Sequence, residues 1–93
     1  MRLTNEQRER IAEISRQHGA HSVRLFGSHA RGEASESSDL DLLVDMEVGR
    51  SLLDLIDLQH ALEGELGIAV DVLTPKSLSP YLRESVEKDA VPL

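Results

Sequence analysis

With 93 residues, 40% of them hydrophobic, the chain is long enough for one small core and is read as a single domain over residues 1–93. It contains no cysteine, which excludes disulfides and thiolate metal sites and leaves oxygen or imidazole ligands for any ion. A net charge of -7, one Phe, one Tyr and no Trp argue against a broad duplex-phosphate footprint and against stacking of single-stranded bases.

Thr4 followed three residues later by Gln7, with Ile11, Ala12 and Ile14 forming a thin apolar stripe, predicts a helix over 5–17 that Gly19 ends. Val23, Leu25 and Phe26 read as a short strand broken at Gly27. Residues 28–32 are consistent with a single helical turn, and the small, polar stretch 33–38 reads as a loop. Leu40, Leu42, Val44 and Met46 alternate with Asp39, Asp41, Leu43 and Asp45, the period of a strand with one buried face. Ser51 with Asp54 opens a second helix carrying Leu52, Leu55, Ile56, Leu62 and Leu66, which Gly67 stops. A third strand is expected over 68–73, and Ser79 before Pro80 opens a last helix through about Lys88. This order predicts an α/β fold: a small mixed sheet of three to four strands with helices packed on one face. The second and third strands should be parallel neighbours across a right-handed crossover, with the first strand antiparallel to the second. No apolar run approaches membrane-spanning length, and residues 1–5 lack the apolar stretch of a signal peptide. A cytoplasmic protein without membrane or direct nucleic-acid contact is expected.

The most informative segment runs from Gly27 to Asp41. Gly27 and Ser28 end a strand and suit a phosphate, glycine by leaving the backbone open and serine by adding a hydroxyl and an amide donor. Ten residues later Asp39 and Asp41 stand one residue apart, a spacing that aims both carboxylates to one face of a strand, as a divalent cation requires. On the third strand Asp71 alternates with Val70 and Val72, so it is expected on the same open face. Three carboxylates repel one another unless a cation compensates them. Magnesium, as two ions, is the expected cofactor for polarising an α-phosphate and shielding a triphosphate.

Gly27-Ser28, ten residues, then Asp39-Leu40-Asp41, with Arg31-Gly32 in the spacer and Asp71 further on, resembles the DNA polymerase beta-type nucleotidyltransferase superfamily. The small size resembles its minimal nucleotidyltransferase (MNT) group, over about residues 20–75. The resemblance implies an antitoxin partnered with a HEPN-domain RNase toxin in a hetero-oligomer, transferring AMP from ATP to a toxin tyrosine hydroxyl. It also implies that Gly27 and Ser28 hold the triphosphate and that Asp39 and Asp41 ligate the metals. Asp71 would be the third acid and a base for the incoming hydroxyl. Larger relatives carry further domains that bind base or acceptor; none is expected here, which leaves base selectivity open and the acceptor wall to a partner.

Other residues carry weaker signals. Arg31 suits either a phosphate contact or a brace to Asp39 or Glu33. His29 adjoins Ser28 but reads equally as solvated, and His18, His21 and His60 lack ligand spacing. Asp45 reads as structural or peripheral, and Tyr81 as packing or partner contact. Two other functions share this pattern: a binding antitoxin that blocks its partner sterically, and nucleotidyl transfer to a small-molecule hydroxyl, which needs a pocket of its own.

Overall fold

The computed structural model describes residues 3–27 and 39–93. Helix α1 (Asn5–Gln17) begins in the expected capping box: the Gln7 amide donates to Thr4 Oγ1 at 3.1 Å and the Thr4 amide to Gln7 Oε1 at 2.8 Å. The chain then enters β1 (Ala20–Phe26), which pairs antiparallel with β2 (Leu40–Met46) from Ala20 opposite Met46 to Phe26 opposite Asp41. Helix α2 (Leu52–Leu66) crosses to β3 (Val70–Leu73), which runs parallel to β2. At its start the Ser51 amide donates to Asp54 Oδ2 at 2.8 Å. At its end Gly67 takes the left-handed conformation and donates to the Glu63 carbonyl at 2.8 Å. A short 3₁₀ turn (Pro75–Ser77) precedes α3 (Pro80–Asp89), capped by Ser79, and the two-residue β4 (Val91–Pro92) pairs with the outer edge of β1. The sheet order is β3-β2-β1-β4.

The core explains this arrangement. Leu40, Leu42 and Val44 of β2, Leu25 of β1, and Val70 and Val72 of β3 pack in one cluster with Ile11 and Ile14 of α1 and Leu58 and Leu62 of α2. Each fully buried aliphatic side chain contributes about 1.5–3 kcal/mol. Register follows from the same contacts, since Leu40 stands opposite Val70 and Leu42 opposite Val72. A slip of one residue would turn both valines out of the core.

Several details depart from the pattern in the sequence. β1 starts at Ala20, three residues before Val23, because Ala20 is buried against the end of β2 and the Glu47 amide bonds the Gly19 carbonyl at 2.7 Å. The polar residues His21, Ser22 and Arg24 break the alternation in that stretch. β3 is shorter than expected, its regular pairing beginning at Val70, although Ala69 accepts from the Leu40 amide at 2.9 Å. Leu43 shares its parity with the acidic residues, yet it is buried, outside the main cluster, between Arg24 and Leu73 in neighbouring strands. Helices α1 and α2 cover one face, whereas α3 buries no residue and leaves Tyr81 and Leu82 exposed. The turn and loop expected over 28–38 lie outside the described residues.

Candidate active site

The three strands bring their acidic and glycine residues to one end of the sheet. In the parallel ladder Asp41 stands directly opposite Asp71, which sets their backbones about 4.8 Å apart. Because Leu40, Leu42, Val70 and Val72 point into the core, strand alternation turns Asp41 and Asp71 to the opposite face. Asp71 is exposed and Asp41 half-buried. Asp39, one residue before β2, is exposed at the same end of the ladder.

On the other side of Asp41 its antiparallel partner is Phe26, the last residue of β1. Gly27 follows with φ +72°, a conformation that residues with a side chain rarely adopt. A Cβ placed on Gly27 would fall 2.5 Å from Asp41 Oδ2 and 3.3 Å from its Cγ. The Gly27 backbone therefore abuts the Asp41 carboxylate. This contact has no signature in the sequence, where the two residues are fourteen apart. Ser28, His29 and Arg31 lie outside the described residues. Asp45 is four residues beyond Asp41, opposite Ser22, which puts it about 13 Å along the strand from the Asp41–Asp71 pair.

Among the described residues no group of three or more His, Cys, Asp or Glu side chains is arranged to hold a metal by itself. Magnesium is commonly held by one or two carboxylates completed by substrate phosphates and water, and the Asp41–Asp71 pair on an accessible face fits that requirement. A separate cavity of about 540 Å³, bordered by Met46, Val48, Leu52, Leu55, Pro75 and Lys76, opens at the far end of β2. It is not part of the carboxylate site.

Comparison with known proteins supplies the family. The family model described as "Nucleotidyltransferase domain" matches residues 6–93. The chain belongs to the nucleotidyltransferase domain family. It is 45% identical over 87 residues to "Putative protein adenylyltransferase MJ0435" of Methanocaldococcus jannaschii, covering 94% of each chain. It is 40% identical over 79 residues to "Protein adenylyltransferase MntA" of Thermococcus cleftensis, covering 85% of this chain and 80% of that one. Within the same family, the solved "Structure of putative minimal nucleotidyltransferase" superposes with a TM-score of 0.86 at 53% identity, over 95% of this chain and 90% of that one. The fold alone is shared with a solved toxin–antitoxin complex containing AMP-PNP, at a TM-score of 0.79 and 24% identity, over 96% of this chain and 72% of that chain. The mixed sheet and helix arrangement expected from the sequence is thus that of minimal nucleotidyltransferases. Among the described residues no helix is long and apolar enough to cross a membrane.

Proposed function

We propose that this nucleotidyltransferase is a magnesium-dependent protein adenylyltransferase that moves AMP from ATP to a tyrosine hydroxyl of a HEPN-type RNase toxin, and so acts as that toxin's antitoxin in the cytoplasm. The observation that carries the reading is the pairing of Asp41 with Asp71, bordered by Gly27, in a chain 40% identical to a protein adenylyltransferase. Solved complexes of the same fold with HEPN toxin support the choice of partner.

In this mechanism Asp41 and Asp71, with Asp39 at the same end of the ladder, would hold magnesium, and Gly27, Ser28 and Arg31 would receive the triphosphate. Bound magnesium would neutralise triphosphate charge and polarise the α-phosphate. Asp71, the more exposed of the paired acids, faces the incoming hydroxyl and takes its proton. The hydroxyl oxygen forms a bond to the α-phosphorus as the bond to the bridging oxygen breaks, and pyrophosphate leaves. Holding the two aspartates on adjacent strands fixes their Cα positions through the ladder, which favours a constant geometry for in-line displacement. The acceptor tyrosine belongs to the partner, which would cover the open face.

The test is the intact mass of the HEPN partner after incubation with this chain, ATP and magnesium. An increase by one or more AMP groups is expected. No adduct, or an undiminished adduct with Asp39→Asn and Asp41→Asn, refutes the reading; neutralisation without any adduct would instead favour steric blocking.

A further inference from the structure

We infer that Gly27 is a positioning residue for Asp41: the missing side chain leaves the space in which the Asp41 carboxylate sits beside Asp71. The inference rests on the reading of Asp41 as a metal-binding acid, and it assigns to Gly27 a role that precedes any contact with phosphate. A glycine required only for phosphate approach, or only for a positive φ, would show free space where a Cβ would stand. At Gly27 the three nearest atoms among the described residues, its chain neighbours aside, all belong to Asp41: Oδ2 at 2.5 Å, Cγ at 3.3 Å and Cβ at 3.5 Å. Carbon and oxygen atoms in contact settle near 3.5 Å, so a methyl group at 27 must push the carboxylate away.

The carboxylate can yield only by leaving this position, towards the open face or towards Asp71. Asp41 lies between two paired strands, with Phe26 opposite it on one side and Asp71 on the other. A displacement away from β1 moves it towards a second carboxylate, and mutual repulsion opposes the shift. The backbone cannot slide instead, because Leu40 and Leu42 on either side are fully buried.

Gly67 is an internal control for the conformational part. Its φ is +70°, against +72° at Gly27, and among the described residues, its chain neighbours aside, nothing lies within 4 Å of a Cβ built on it. Gly67→Ala therefore incurs backbone strain without a collision, whereas Gly27→Ala incurs the same strain plus displacement of Asp41.

The experiment is a thermal-melt cycle of Gly27→Ala, Gly67→Ala, Asp41→Ala and the double variant Gly27→Ala/Asp41→Ala. A second arm titrates the nucleotide-free protein with Mn²⁺ as a spectroscopic probe. Gly27→Ala is expected to lower Tm more than Gly67→Ala, and the excess should vanish in the Asp41→Ala background. Mn²⁺ binding should weaken about tenfold or more in Gly27→Ala and stay unchanged in Gly67→Ala. If Gly27→Ala alone fails to fold, recovery of a cooperative melt in the double variant supports the inference and lack of recovery overturns it. Equal Tm losses for the two glycines, an excess that persists without Asp41, or unaltered Mn²⁺ binding overturns it as well. Because the melts require no transfer reaction, a toxin left without an adduct by the wild-type protein would refute the proposed function and leave the Gly27–Asp41 coupling standing.

Discussion

Ser15 offers a sharp test of how the first helix is held. It is fully buried on α1 between the core residues Ile11 and Ile14 and the helix end, and among the described residues its Oγ has no hydrogen-bond partner. Desolvating an unpaired hydroxyl costs about 1–3 kcal/mol, and serine is about 0.5 kcal/mol less favourable than alanine inside a helix. Removing one oxygen leaves too small a void to cancel both effects. Ser15→Ala should therefore stabilise the protein by about 1–2 kcal/mol. At an unfolding entropy of about 2.1 cal/mol/K per residue, the 93 residues give about 195 cal/mol/K, so Tm should rise by about 5–10 °C. Scanning calorimetry at neutral pH reads this directly. Ser77→Ala is the contrast, because the Ser77 hydroxyl accepts from the Thr74 amide at 3.1 Å and donates to the Thr74 carbonyl at 2.8 Å. Its loss should lower Tm. A Ser15→Ala protein that melts at or below the wild-type temperature would refute the reasoning.

Asp41→Asn and Asp71→Asn should each reduce adenylyl transfer about 100-fold or more while keeping a cooperative melt, measured by radiolabel incorporation into the partner beside circular dichroism. The Asp54 carboxyl is held below its ordinary 3.8, first by the Ser51 amide, and that of Glu65 below its ordinary 4.5 by the Arg10 guanidinium. Both groups bind protons more weakly when folded, so their contribution is complete above about pH 5 and fades as pH falls below 4. Asp54→Ala should flatten the acid limb of a Tm-against-pH curve. Amides of α3 should exchange fastest among the described helices, since a ten-residue helix without a buried residue has little beyond its Ser79 cap to hold it. Hydrogen exchange followed by mass spectrometry checks this, and protection of residues 82–88 equal to that of α2 would contradict it.

Much of the framework is local and was legible in the residues. Thr4 with Gln7, Ser51 with Asp54, Gly67, and Ser79 with Pro80 mark helix ends through hydrogen bonds that span only a few residues. Alternation alone assigns Leu40, Leu42, Val70 and Val72 to one face and Asp41 and Asp71 to the other. The compound spacing of Gly27, Ser28, Asp39 and Asp41 was enough to point to the family. Alternation says nothing, however, about which residue of β3 stands beside Asp41, and only packing of Leu40 on Val70 and Leu42 on Val72 under two helices sets that register. The edge pairing of Val91 and Pro92, two residues with no periodicity to read, likewise exists only because β1 presents an open edge. So too with Gly27: its sequence context suggests a turn, and the assembled sheet alone shows that the atom it lacks would occupy the place of the Asp41 carboxylate. Local signals end where two segments far apart in the chain must share the same few ångströms, and in this protein that is where the carboxylates meet.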